Sequence, residues 1–166
     1  MSSSDFSTLT LRVELPAAID SLDYESMTPI QAQSLPVMLV GGDVLAQANT
    51  GSGKTAAFAI AMLNKLEERR YQTQGIVICP TRELADQVAD EIRRLARTIA
   101  NVKVLTLCGG KPFGPQLASL QRAPHIVVGT PGRLLKHLEK ESLALTNIET
   151  LVLDEADRML DMSFSE

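Results

Sequence analysis

Ala48-Asn49-Thr50-Gly51-Ser52-Gly53-Lys54-Thr55 lies between an apolar run at 43–47 and an alanine-rich stretch of helical character at 54–68. A glycine-rich turn that leaves a strand and opens a helix can wrap its N–H groups around phosphate oxygens. Thr50, Gly51, Ser52, Gly53, Lys54 and Thr55 are therefore candidates for holding a polyphosphate. Lys54 suits the β- and γ-phosphates, and the Thr55 hydroxyl suits Mg²⁺. The first position carries Ala48 where the general pattern has glycine. A glycine-rich turn with a surface lysine is the plainer alternative, and Gly-Ser-Gly-Lys-Thr in this setting tells against it.

Downstream, Leu151-Val152-Leu153 runs into Asp154-Glu155-Ala156-Asp157. A strand ending in two carboxylates is the complement a phosphate loop needs: one holds the metal, and the other positions and deprotonates the attacking water. Asp154 takes the metal role and Glu155 that of general base, with Lys54 as the third catalytic candidate. On its own, the acidic tetrapeptide reads equally as a solvated loop or the start of a helix.

Around these two anchors, short apolar runs alternate with helical patterns. The expected strands are 43–47, 75–79, 102–107, 125–129 and 150–153. The expected helices are 16–22, 29–40, 54–68, 82–99, 114–121 and 131–140, with Thr28 capping the second ahead of Pro29. Leu84, Val88, Ile92, Leu95 and Ile99 form an amphipathic stripe. The alternation predicts an α/β fold with a parallel sheet covered by helices on both faces. It forms one domain over 1–166, divided into an N-terminal region at 1–42 and a core at 43–166.

Composition narrows the function without naming it. The chain is 45% apolar and 22% charged, with a formal charge of −4, so any grip on nucleic acid must be local. Cys79 and Cys108 sit inside apolar runs and read as buried thiols of a reducing, cytosolic compartment. His125 and His137 lack ligand-spaced partners. No apolar stretch approaches membrane-spanning length.

Together, Ala-x-Thr-Gly-x-Gly-Lys-Thr and Asp-Glu-Ala-Asp resemble two signature motifs of the DEAD-box RNA helicases. Pro80-Thr81-Arg82-Glu83-Leu84-Ala85, Gly109-Gly110 and Thr130-Pro131-Gly132-Arg133 agree with three more. Tyr24-Glu25-Ser26-Met27-Thr28-Pro29-Ile30-Gln31 is similar to the family's Q motif, with Phe6 at its isolated upstream aromatic. The wording around the motifs is closest to a bacterial, ribosomal-RNA-directed branch.

The resemblance implies a RecA-like P-loop domain, ATP and Mg²⁺ as cofactors, and RNA as partner. It implies that Gln31 reads the adenine edge, that Phe6 packs on the base, and that Tyr24 belongs to the same site. Thr81, Arg82, Gly110, Thr130, Gly132 and Arg133 are implied RNA-backbone contacts. From the residues alone, Gln31 reads as an exposed helix residue, and Arg82 and Arg133 as helix-start arginines in surface ion pairs.

Two positions depart from the family pattern: Asp23 and Ser163 stand where glycine is usual. Family members continue past this point into a Ser-Ala-Thr motif and a second RecA-like domain. Residues 1–166 alone are therefore expected to bind nucleotide weakly, to hydrolyse it negligibly and to self-associate through a sheet missing a central strand. A non-catalytic binding module and another class of P-loop enzyme, such as a small-molecule kinase, remain alternative readings.

Overall fold

The computed structural model describes residues 4–162. By internal contacts the chain forms two compact units, one of residues up to Glu67 with Glu91–Ala100, the other of Glu68–Asp90 with the remainder from Asn101.

In the first unit a short 3-10 turn, Phe6–Thr8, precedes α1 (Leu15–Ser21), α2 (Pro29–Leu39) and α3 (Lys54–Lys65). Thr28 caps α2 in a reciprocal box with Gln31, and Pro29 fills the first turn, as its missing N–H predicts. Helix α2 packs on α3. Seven of the α3 residues, from Ala56 to Leu63, are buried, so this helix is covered on all sides. Arg12 closes its far end by donating to the carbonyls of Leu63 and Leu66 at 3.4 and 2.8 Å. Full burial of a side chain such as Leu35, Ile60 or Leu63 contributes about 1.5–3 kcal/mol.

In the second unit β1 (Gly75–Ile78), β2 (Val104–Leu107), β3 (Ile126–Gly129) and β4 (Thr150–Leu153) form an all-parallel sheet in the order β2-β3-β1-β4. Helix α5 (Phe113–Leu120) follows β2, α6 (Pro131–Glu139) follows β3, and α7 (Ala156–Asp161) follows β4. Helix α4 (Arg82–Leu95) begins in this unit and ends in the other. Ile76, Leu107 and Val127 from one sheet face form a core with Leu134 of α6 and Leu143. The alternate residues Val77, Ile126 and Val128 are equally buried, so β1 and β3 are covered on both faces, whereas Leu151 and Leu153 of β4 are more than half exposed. Among the described residues no helix is long and apolar enough to cross a membrane.

Two expectations need correction. The run at 43–47 is not a strand: it pairs with no strand among the described residues, and Leu45 is fully exposed. Apolar character is a side-chain property, whereas a strand exists only where a neighbour completes the ladder. The amphipathic helix stops at Leu95 and tightens into a 3-10 turn at Ala96–Thr98, which still delivers Ile99 to the interior. Helix α7 was not anticipated.

Asp23, the first departure from the family pattern, has φ 57°, the left-handed region that glycine occupies without strain. Ser163, the second, lies outside the described residues. Ala123, just past the end of α5, has φ 51° and lacks even the short polar side chain that eases this conformation for Asp. Ala123→Gly is expected to raise stability by about 1 kcal/mol. A chemical-denaturation midpoint that stays put or falls would contradict it.

Candidate functional site

The phosphate-loop candidates are assembled inside the first unit. Gly51 and Gly53 both have positive φ, 81° and 89°. At Gly53 an added Cβ would stand 2.5 Å from Gln31 Nε2 and 2.8 Å from Thr28 Oγ1, so only glycine fits. The closeness is that of a hydrogen bond: Gln31 Nε2 donates to the Gly53 carbonyl at 3.1 Å while Gln31 Oε1 accepts from the Thr28 N–H at 2.9 Å. The capping residue of α2 thereby steers the loop that opens α3. Each amide atom of Gln31 retains one further donor or acceptor position.

Lys54 and Thr55 begin α3, whose N-terminus has no side-chain cap. The Lys54 ammonium rests on the Ala48 carbonyl at 2.7 Å, across the mouth of the turn. Ser52 Oγ is buried with no partner among the described residues. A buried orphan hydroxyl in a turn of left-handed glycines, beside a cation and an uncapped helix start, fits a bound phosphate. Phe6 is buried in its 3-10 turn, and the Tyr24 hydroxyl donates to Glu91 Oε1 at 2.6 Å. Burial and that carboxylate push the Tyr24 phenol up to about 12, with Arg94 pulling the other way.

The remaining candidates converge inside the second unit. Because the sheet is parallel, the residues following β1, β2, β3 and β4 emerge at its carboxyl end, where open α/β sheets bind ligands. Asp154 follows β4, is 8% exposed, and its N–H donates to the Ile78 carbonyl. Glu155 has φ 52° and ψ 50° and starts α7, with Oε2 3.3 Å from Arg158 Nη1. A left-handed glutamate is a strained conformation of the kind that gathers at working sites. Beneath them, burial first, and then the charges of Asp154 and Glu155 among others, push the Cys79 thiol up to about 12. It and Cys108 are both buried and unpaired.

After β1, Thr81 Oγ1 accepts from the Leu84 N–H and Arg82 begins α4. The Arg82 ion pair with Glu83 is loose at 3.8 Å. After β2, Gly110 has φ 76°, and a Cβ there would come within 3.0 Å of Arg82 Nη1. After β3, Thr130 Oγ1 accepts from the Gly109 N–H at 3.4 Å, Gly132 has open space around it, and Arg133 Nη1 donates to the Lys111 carbonyl at 2.8 Å. Hydroxyls, guanidinium groups and open backbone across the carboxyl end of the sheet form a track suited to a phosphodiester chain.

Behind this track lie residues that no motif marks. Gln116 is buried and hydrogen-bonded to Cys108, Arg133 and His137. Its signal was available: a polar amide sits at the spacing of Phe113, Leu117 and Leu120, on the apolar side of a helix. His125 is a satisfied core residue, accepting from the Lys103 N–H at Nδ1 and facing the Glu68 carbonyl through Nε2.

The family profile described as DEAD/DEAH box helicase matches residues 28–166. The chain is 59% identical to the Escherichia coli ATP-dependent RNA helicase DbpA over 160 residues, 95% of this chain and 35% of that protein. It is 45% identical to the Bacillus subtilis DEAD-box ATP-dependent RNA helicase CshA over 159 residues, 96% of this chain and 32% of that one. The chain thus spans about a third of the length of these curated relatives.

Two solved structures share the fold. A DEAD box protein from Methanococcus jannaschii matches with a TM-score of 0.92 at 42% identity, covering 98% of this chain and 44% of that one. A variant of Saccharomyces cerevisiae Dbp5 bound to RNA and ADP BeF3 matches with a TM-score of 0.88 at 29% identity, covering 97% and 40%.

Proposed function

The chain belongs to the DEAD/DEAH box helicase family, and from that premise we propose that it is the ATP-binding, RNA-contacting RecA-like lobe of an ATP-dependent RNA helicase. The observation that carries the reading is the Gln31 amide joined to the carbonyl of Gly53, since it couples a base-reading side chain to a phosphate-holding loop. The ATP-dependent RNA helicases of Escherichia coli and Bacillus subtilis that it resembles, and the RNA-bound yeast structure, support it.

ATP with Mg²⁺ supplies the scissile phosphoanhydride and the charge that offsets its phosphates. In the proposed roles, Lys54 leaves the Ala48 carbonyl for phosphate oxygens, and the Ser52 hydroxyl and the N–H groups of 50–55 complete the cradle. Thr55 and Asp154 are the protein ligands assigned to Mg²⁺. That ion keeps several waters and needs only one or two side chains, so a cage of carboxylates is not required. Glu155 orients the attacking water and takes its proton. Gln31 presents its remaining donor and acceptor to the adenine edge, with Phe6 and Tyr24 completing the base site.

Thr81, Arg82, Gly110, Thr130, Gly132 and Arg133 grip RNA phosphates, which transmits duplex geometry rather than sequence. We assign the target to ribosomal RNA by likeness to DbpA, and hydrolysis to closure against a second RecA-like domain, with residues 1–166 alone binding nucleotide without cleaving it. The proposed setting is the cytoplasm, where Cys79 and Cys108 stay reduced.

Calorimetric titration with ADP and GDP in the presence of Mg²⁺ tests the adenine assignment. ADP binding is expected to exceed GDP binding, and Gln31→Ala to lower ADP affinity about tenfold and GDP affinity by less, the smaller loss being the share of the phosphate loop that Gln31 holds. Equal affinity for the two nucleotides in the unsubstituted chain would reject it.

A further inference from the structure

Behind the proposed RNA track, one buried amide joins three segments of the second unit. Gln116 Nε2 donates to the Cys108 carbonyl at 3.0 Å, and Gln116 Oε1 accepts from Arg133 Nη1 at 3.0 Å and from His137 Nε2 at 2.9 Å. A carbonyl can only accept and a guanidinium can only donate, so both ends of the amide are fixed and it cannot flip.

The fixed amide dictates the state of His137. Its Nε2 faces an oxygen and must carry a proton; in the neutral ring Nδ1 is then an acceptor, 2.8 Å from Ser142 Oγ, whose single hydrogen is shared with the His137 carbonyl at 3.0 Å. The ring is fully buried and stacks on Phe113 at 4.2 Å with planes 11° apart. Burial, and then the cations Arg133 and Lys136, hold its pKa below the ordinary histidine value, which favours this neutral form.

On Arg133, Nη1 gives one hydrogen to Gln116 and one to the Lys111 carbonyl. Its Nε and Nη2 hydrogens have no acceptor among the described residues. Cys108 and Lys111 flank Gly109-Gly110, so Gln116 ties both the Gly-Gly loop and the arginine of the next strand end to the same point. Two halves of a phosphate track are thereby held at one spacing.

We propose that Gln116 is a positioning residue for RNA binding, holding Arg133 against the Gly109-Gly110 loop, and that His137 in its Nε2–H form holds Gln116 for that task. The inference rests on the reading of Arg133 as an RNA-phosphate contact. A positioned guanidinium binds a phosphate at a fixed separation without first losing side-chain freedom, so the effect falls on RNA and not on nucleotide.

The test is RNA-stimulated ATP hydrolysis by the complete protein, titrated with a uridylate oligonucleotide. Gln116→Leu is expected to raise the RNA concentration for half-maximal stimulation about tenfold and leave KM for ATP in place. Arg133→Ala should raise it as much or more, and the double variant no further, because one contact has been broken twice. Gln116→Glu keeps oxygens for Arg133 and His137 but opposes the Cys108 carbonyl. It should bind RNA better than Gln116→Leu, whereas a purely structural tie to the loop would make it worse. Additive effects, or Glu performing no better than Leu, would overturn the proposal. If Arg133→Ala weakens RNA and Gln116→Leu does not, the inference fails alone; if Arg133→Ala has no effect, the RNA-site reading fails with it.

Discussion

Glu155→Gln in the complete protein is expected to lower kcat for ATP hydrolysis by about 10²–10⁴-fold and leave nucleotide affinity within a few-fold. The substitution is nearly isosteric, and the left-handed backbone that aims the side chain is untouched. What disappears is basicity: an amide can orient a water but cannot take its proton. The nearby Arg158, 3.3 Å from Oε2, can still donate to the amide oxygen, so the fold has little reason to respond. Single-turnover hydrolysis alongside a fluorescent-nucleotide binding curve separates the two quantities. A loss in kcat smaller than about tenfold would remove Glu155 from the role of general base.

Lys54→Ala is expected to weaken ADP binding by about 10- to 100-fold, the value of one charge-assisted contact to phosphate. The ammonium now sits 2.7 Å from a backbone carbonyl, a partner it can exchange for a phosphate oxygen with little rearrangement. Lys54→Arg should not restore affinity, because a planar fork cannot replace a point charge inside so tight a turn. Calorimetry with ADP and Mg²⁺ reads both variants. Unchanged binding in Lys54→Ala would mean that the loop is only a structural turn.

Much of this was legible in the residues, for reasons that can be stated one at a time. Thr28 and Pro29 specify a helix start because capping is local chemistry, and the structure forms it as read; Gln31, an exposed helix residue by its letters alone, is instead buried and completes the capping box. The runs ending at Ile78, Leu107, Gly129 and Leu153 became strands because each has a neighbour to complete its ladder. The run at 43–47 had the same appearance and no such neighbour among the described residues. Backbone sign was mostly out of reach: nothing in the letters Ala123 or Glu155 announces a positive φ, and only the usual glycine of the family pattern points to one at Asp23. His137 has no ligand-spaced partner along the chain, yet its partner is an amide twenty-one residues away on another helix. Spacing along a chain finds metal cages and loops, and it does not find contacts that only packing creates.

The strand order carries a consequence for how the chain is made. β1 lies between β3 and β4, and its partners Ile126 and Thr150 follow Gly75 by roughly fifty and seventy-five residues. At synthesis rates of about 5–20 residues per second, β1 leaves the ribosome seconds before either neighbour exists. Throughout that interval Gly75-Ile76-Val77-Ile78 is an apolar, β-prone segment with both edges bare. Holding this segment apart from other nascent chains falls to chaperones or to speed of translation, and synonymous codon changes between Ile78 and Ile126 act directly on that interval.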